Sequence, residues 1–261
     1  MFIIDDNTPV EYEISANHAT GCVPRDFSVQ PRAMQAVQFP LIPRSEWSER
    51  IRDMEATKSR LSDIRNTGDN GGPIRSYDQN GQGYCWAYST TAAITLLRAK
   101  ANMPHVRLSA HGVACKIKGF RDEGAWGALS MEFVTKYGVP PESVWPAKSM
   151  SRSLDNAAVW AEAAKYKVTE GWADLEVEAW DRKLTFDQIG TLLLSRIPVV
   201  LDFAWWGHSV CGLDLVETSP RQYGIRIWNS WTDSWGENGT GVLAGSKAIP
   251  MGASAPLVTN A

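Results

Sequence analysis

The chain has 261 residues, a net charge of −3 and a pI near 5.9, which gives no electrostatic basis for binding nucleic acid or an anionic membrane. Hydrophobic residues form 44% of the chain and charged residues 21%, values typical of a globular protein with an ample core. No stretch reaches the roughly 18 apolar residues that cross a bilayer, and the N-terminus lacks the basic and long apolar regions of a classical secretion signal.

The four cysteines favour a reducing environment. They are Cys22, Cys85, Cys115 and Cys211, and their spacing contains no metal-type motif such as C-x-x-C. If one of them is a nucleophile, three remain, and three cannot all pair internally. We therefore expect the protein in the cytoplasm, in another reducing compartment or in a particle assembled inside the cell.

The N-terminal part divides into an arm and a helix. Residues 1–40 show little helical periodicity and contain several turn residues, which predicts an extended arm. Residues 45–65 carry apolar side chains at intervals of three, four and seven with charges between them. This pattern predicts an amphipathic helix with Ser45 as its N-cap.

A glycine-rich loop that contains a cysteine comes next. Residues 79–89 read Q-N-G-Q-G-Y-C-W-A-Y-S, with Gly81 and Gly83 before Cys85 and a run of helical density after it. The pattern predicts that Cys85 opens a helix, whose N-terminal partial positive charge favours a thiolate over a thiol. Taken alone, however, a free cysteine is more often a small buried core residue.

The later elements change from helices to strands. Short helices are predicted at 108–115, 130–137 and 154–166, and short strands at 197–203, 209–217, 224–229 and 239–244. Residues 248–261 are mostly small and aperiodic, which predicts a loose tail. Helices first and strands later indicate an α+β protein with two lobes.

Two residues among the late strands are candidates to assist the cysteine. His208 follows a glycine and opens an apolar strand, so its ring is expected to face a cleft between the lobes. Asn229 ends a later strand, where its amide oxygen could accept a hydrogen bond from that ring, with Trp231 shielding the bond from water. Taken singly, a lone histidine is more often structural, and such an asparagine is more often a turn residue in an aromatic core.

Five separated motifs, in order, resemble those of the papain-like cysteine proteases. They are Q-N-G-Q-G-Y-C-W-A-Y-S at 79–89, L-S-A-H-G-V-A-C at 108–115, G-A-W-G-A-L-S-M-E-F-V-T-K-Y-G-V at 124–139, H-S-V at 208–210, and N-S-W followed by W-G-E-N-G at 229–239. The resemblance extends over residues 41–245. Five motifs in the family's order are a much stronger signal than any one of them.

The resemblance implies a fold, a reaction and a set of roles. The fold has a helical N-terminal lobe and a β-barrel-like C-terminal lobe, with the active site in the cleft between them. The reaction is thiol-dependent hydrolysis of a polypeptide substrate, without a metal or other cofactor. Cys85 corresponds to the nucleophile, His208 to the base and acid, and Asn229 to the orienting residue. Gln79 and the Cys85 backbone N–H correspond to the oxyanion hole.

The same resemblance suggests substrate contacts and domain limits. Positions that correspond to substrate-binding residues are Gly83, Trp206, Gly207 and Trp231. The expected organisation is an arm at 1–40, a papain-like domain at 41–247 with an inserted helix at 45–65, and a tail at 248–261.

The chain departs from the family pattern in several places. Gln82 stands where the family has a cysteine, and D-E-G-A at 122–125 replaces C-x-G-G, which agrees with a reducing compartment. Trp206, two residues before the histidine, is expected to narrow the main specificity pocket. The arm of residues 1–40 is short for an inhibitory pro-segment, which favours a structural or docking role.

These departures support a second hypothesis. The chain would then be a papain-like domain that serves as a structural or interaction component of a larger assembly, docks a protein partner through its arm, and has latent or narrow activity. The added arm and the narrowed pocket favour it. The complete set of Gln79, Cys85, His208 and Asn229 favours the enzyme, because a purely structural protein has no physical need for all four.

Overall fold

The computed structural model describes residues 1–9, 18–31, 40–79, 81–175 and 182–257. Its α-helices are Arg44–Ala56 (α1), Leu61–Thr67 (α2), Cys85–Lys100 (α3), Ala110–Lys118 (α4), Gly127–Tyr137 (α5), Ala157–Ala163 (α6) and Arg182–Leu194 (α7). Its strands are Ile3–Ile4 (β1), Trp172–Asp174 (β2), Val199–Phe203 (β3), His208–Ser219 (β4), Gln222–Trp228 (β5), Thr240–Leu243 (β6) and Gly252–Pro256 (β7). The α+β class predicted from the sequence is confirmed. None of the helices in these ranges combines the length and apolar character needed to cross a membrane.

All seven strands form one sheet, in the order β1-β6-β5-β4-β3-β7-β2. Every neighbouring pair is antiparallel except β1 and β6, which run parallel. Strand β4 is the longest and lies in the middle of the sheet, where it is buried from His208 to Val216. The strand therefore begins inside the molecule, where its first residue, His208, pairs with Phe203 of β3.

The sheet separates two hydrophobic cores, and helix α3 lies in one of them. The helix is buried from Cys85 to Arg98, because most of its residues are apolar or small. Its threonines satisfy their hydroxyls on backbone carbonyls four residues earlier, as Thr91 does on Ala87 at 2.8 Å. One core surrounds α3, α4 and α5, and the other lies between the sheet, α1 and α7. Because α3 packs on β4, the starts of both elements meet between the lobes.

The single helix predicted at 45–65 is divided in two. Helix α1 begins one residue before Ser45, and the chain then turns at Lys58, whose φ is +50°. Asp63 begins the second helix by accepting the Arg60 backbone N–H at 3.1 Å. The apolar spacing continues across the break because both helices bury side chains. Helix α1 packs into the core between the sheet and α7, whereas α2 packs into the core around α3.

The loose tail predicted at 248–261 is wrong for part of that segment. Residues Gly252–Pro256 form β7, which is fully buried between β3 and β2. The side chains G-A-S-A-P are small enough to fit between two packed faces, and for the same reason they show no apolar period in the sequence. Residues 258–261 lie outside the described part of the chain, as do residues 10–17 and 32–39 of the predicted arm.

Two helix-ending glycines provide a matched test of the helical lobe. Gly138 ends α5 with φ +81°, and a Cβ there would lie 1.9 Å from the Ala163 carbonyl oxygen. Gly119 ends α4 with φ +58° and has open space around a Cβ. We expect Gly138→Ala to lower the free energy of unfolding by about 3 kcal/mol and Gly119→Ala by about 1 kcal/mol. Urea denaturation of both variants measures the difference, and equal losses would contradict this packing.

Candidate active site

Cys85 is the first residue of α3 and is completely buried, with 0% of its surface exposed. Burial raises the pKa of its thiol to about 12, because water cannot solvate a thiolate there. The backbone N–H groups of Ser209, Gly21 and Trp86 oppose this shift, since each can donate to the sulfur. The predicted helix start is present, and the thiol is protonated in this closed arrangement.

His208 and Asn229 are in contact. The His208 Nε2 lies 2.8 Å from the Asn229 Oδ1, and the Ser230 backbone N–H donates to the same oxygen at 2.8 Å. Because that oxygen only accepts, the ring proton sits on Nε2 and Nδ1 keeps its lone pair. Nδ1 makes no hydrogen bond to the described residues, so it is available to take a proton. Ser209, the residue after His208, supplies one of the three backbone N–H groups that can donate to the Cys85 sulfur.

Aromatic rings enclose the histidine. The Trp231 ring stacks on His208 with centroids 4.4 Å apart, and His18 stacks on Trp231 at 4.7 Å. The Trp206 ring meets His208 edge-on at 4.9 Å and is only 4% exposed. Trp231 thus covers the histidine as expected, whereas Trp206 belongs to a buried aromatic cluster with Trp235. The narrowing of a specificity pocket by Trp206 stays a prediction.

The Gln79 side chain binds a backbone carbonyl. Its Nε2 donates to the Ala19 oxygen at 2.8 Å and to the Gln82 oxygen at 2.8 Å, while its Oε1 accepts from the Ser230 hydroxyl at 2.6 Å. The Ser230 contact fixes which end of the amide faces the cleft. The residue predicted as an oxyanion donor therefore presents its N–H group to a carbonyl of the chain itself.

That carbonyl belongs to residues 18–23, which we call the cleft segment. The N–H groups of Gly21 and Cys22 donate to the Gly207 oxygen at 3.0 and 2.9 Å. The Ala125 N–H donates to the Gly21 oxygen, and the Val23 N–H to the Ala125 oxygen, both at 2.9 Å. The cleft segment is thus held by main-chain hydrogen bonds from both lobes, and it runs parallel to the chain at Ala125.

The cleft segment packs too tightly to admit a side chain at one position. A Cβ on Gly21 would lie 2.1 Å from the Gly83 carbonyl oxygen, well inside van der Waals contact. Gly83 and Gly207, both predicted to bind substrate, contact this segment instead. With residues 18–23 in place, neither Cys85 nor His208 has any exposed surface.

Sequence reasoning missed this role of the arm. A structural or docking function was expected, because the arm has no helical pattern and is short. The one available signal was Gly21, a glycine in an irregular segment, but its need for close approach depends on Gly83, far along the chain. All four cysteines are buried free thiols. The described residues contain no group of three His, Cys, Asp or Glu side chains placed to hold a metal.

Comparison with solved structures identifies the fold as papain-like. Xylellain, a cysteine protease from Xylella fastidiosa, is 18% identical with a TM-score of 0.63, over 94% of this chain and 98% of that one. Digestive procathepsin L2 from the Tenebrio molitor larval midgut is 18% identical with a TM-score of 0.62, over 98% and 81%. The proform of the ragweed pollen allergen Amb a 11, a cysteine protease, is 16% identical with a TM-score of 0.54, over 72% and 64%.

The chain thus spans just under two thirds of the ragweed proform. No protein-family model matches the sequence, and no curated protein does. The resemblance stated from the five motifs is confirmed as a two-lobe papain-like fold.

Acid is expected to open the cleft. Burial lowers the pKa of His208 to about 4, and the nearby His18 lowers it further, while the bond to Asn229 opposes the shift. An exposed histidine titrates near 6.5, so protons bind the open form more tightly. The closed arrangement keeps its full stability above pH 6.5 and loses it as the pH falls toward 4. We measure the rate at which a pyridyl disulfide labels Cys85 in the unsubstituted protein and divide it by the rate in Gly21→Ala protein. This ratio should rise from pH 7 to pH 5.

The control compares two proteins that both carry His208→Gln, one with Gly21→Ala and one without it. Glutamine does not titrate, so the ratio of the two labelling rates should be nearly constant across this range. A ratio that still rises would assign the acid opening to a group other than His208.

Proposed function

We propose that this protein is a thiol peptidase that hydrolyses peptide bonds in polypeptide substrates. The observation that supports this most strongly is the contact between the Gln79 amide and the Ala19 carbonyl, 2.8 Å apart. The cleft binds an extended peptide of its own chain through backbone groups, beside a buried cysteine and an oriented histidine. That is the arrangement an acyl-transfer site requires.

In the proposed reaction, the Cys85 sulfur attacks a substrate carbonyl carbon and its proton passes to His208 Nδ1. The Gln79 side chain and the Cys85 N–H stabilise the oxyanion, while Asn229 holds the ring. His208 then protonates the amine, which leaves with its part of the peptide. Water, losing a proton to His208, attacks the thioester, and the acid departs as the thiol takes the proton back.

Substrate entry requires the cleft segment to move, because Cys85 and His208 are both fully buried. We propose that the papain-like domain predicted at 41–247, together with strand β7, carries the peptidase and that the arm controls access to it. A reducing compartment, where a nucleophilic thiol persists, belongs to the same proposal. The second hypothesis, a structural component with latent activity, is favoured by one observation, the filled cleft.

A peptide mixture separates the two hypotheses. Full-length protein carrying Gly21→Ala is incubated with internally quenched peptides, and products are identified by mass spectrometry. If Gly21→Ala protein hydrolyses the peptides and the Gly21→Ala/Cys85→Ala double variant does not, the result supports the peptidase. Matched Cys211→Ala protein, which lacks a buried thiol outside the cleft, should keep its activity. Absence of hydrolysis in protein whose Cys85 reacts readily with thiol reagents would favour the structural role.

A further inference from the structure

The arm buries an arginine beyond the cleft segment. The Arg25 side chain is 2% exposed, and its Nη1 lies 3.1 and 3.0 Å from the two carboxylate oxygens of Asp174, which is 3% exposed. Its Nε donates to the Gln30 oxygen and its Nη2 to the Pro31 oxygen. Removing a guanidinium from water is costly, so it requires a pocket whose polar groups are placed to receive it.

That pocket is on the inner face of the sheet. Asp174 of β2 pairs with Ser254 of β7, which pairs with Val200 of β3, and Asp202 follows two residues later. Side chains at paired positions, and two residues apart along a strand, project from the same face. Asp174, Ser254 and Asp202 therefore line one side of the sheet, and we call them the acidic pocket.

The acidic pocket has polar atoms to spare. Asp202 is 3% exposed and accepts the Gly127 N–H on Oδ2 at 2.7 Å, yet its Oδ1 makes no hydrogen bond of good geometry within the described residues. The Ser254 hydroxyl, on a residue 1% exposed, also has no partner there. The Cys22 thiol of the arm and the Ser209 side chain both lie within hydrogen-bonding reach of Asp202. Unused buried acceptors are costly, which points to a ligand that donates several hydrogen bonds.

Charge agrees with this reading. Burial raises the pKa of Asp202, and the Arg25 guanidinium acts against that shift, in addition to its direct contact with Asp174. When the arm leaves the cleft, both carboxylates lose that guanidinium. A substrate that brings an arginine to the same place would restore the charge balance and the forked hydrogen bonds.

We propose that the acidic pocket is a specificity subsite for an arginine side chain of the polypeptide substrate, and that Arg25 occupies it while the cleft is closed. The proposal rests on the proposed function, in which the cleft binds polypeptides. Cys22 lies beside Asp202 near the nucleophile, and Arg25 follows three residues later along the extended arm. The substrate arginine therefore sits a few residues from the scissile bond.

The test uses capture and cleavage of one random peptide library. Full-length Gly21→Ala/Cys85→Ala protein captures peptides without cutting them, and Gly21→Ala protein cleaves them. We expect arginine enriched at least 10-fold at one position in both sets, with lysine weaker. Asp174→Asn should reduce the enrichment to below 2-fold. If that variant does not fold, Asp202→Asn, which keeps an oxygen for the Gly127 N–H, takes its place.

The outcomes distinguish the two proposals. Arginine enrichment among captured peptides with no cleavage would uphold the subsite and overturn the peptidase. Cleavage with no arginine preference, or a preference that survives both substitutions, would overturn the subsite and leave Arg25 as an anchor for the arm. Val29→Ala protein, altered at an exposed arm residue without these contacts, should capture and cleave the library peptides as the unsubstituted protein does.

Discussion

Gly21→Ala is expected to raise the rate at which an epoxide thiol reagent labels Cys85 by about 100-fold. In the closed structure a Cβ at this position would lie 2.1 Å from the Gly83 carbonyl oxygen, and the atoms it meets are all backbone. Neither side can give way by rotating a side chain, so the cleft segment must withdraw. Overpacking that destabilises the closed form by about 3 kcal/mol raises the population of open molecules by about 100-fold. Mass spectrometry of the labelled peptide over time provides the rate.

The matched control is Val29→Ala, in the same arm but 67% exposed. It should label at the wild-type rate, because it removes no contact with the cleft. Rapid labelling of the unsubstituted protein, equal to that of Gly21→Ala, would show that the cleft segment does not protect the cysteine in solution.

His208→Ala in Gly21→Ala protein is expected to lower kcat/KM for peptide hydrolysis by at least about 1,000-fold. In the proposed reaction the ring supplies both proton transfers, and within the described residues no second histidine hydrogen-bonds to Asn229. Asn229→Ala should lower kcat/KM less, by about 10- to 100-fold, because the His208 ring remains and Trp231 still stacks on it at 4.4 Å. The order of the two losses is measured with one quenched peptide under identical conditions.

Trp235→Phe is the control for this pair, since Trp235 packs on Trp231 and Trp206 without touching His208 in the described structure. It should change hydrolysis by less than a factor of about 5. A loss for His208→Ala no greater than that of the control would remove His208 from the reaction.

The sequence indicated the central elements because their signals are local. Helix α3 and strand β4 have apolar runs bounded by glycine, and the residues at their starts, Cys85 and His208, could be assigned by motif order. Helix α7 and strand β2 went unpredicted, since neither combines a clear period with turn residues. Strand β7 was missed because its small side chains carry no hydrophobic period.

The contents of the cleft could not be predicted in the same way. The fit of Gly21 against Gly83 depends on two irregular segments meeting across a lobe boundary. The acidic pocket joins Asp174 to Asp202 through a strand, β7, that the sequence did not show. Contacts of this kind are set by tertiary packing, and no spacing within the chain records them.

The sheet edge at β1 has a consequence for how the cleft closes. Ile3–Ile4 pairs with β6, where the Ala244 N–H donates to the Ile4 oxygen at 3.0 Å, and α1 anchors the chain on the other side of the arm. A cleft segment tethered at both ends competes for the cleft at an effective concentration of about millimolar. Diluting the protein therefore leaves the fraction of open molecules unchanged, and a free peptide must approach millimolar concentration to compete with the arm.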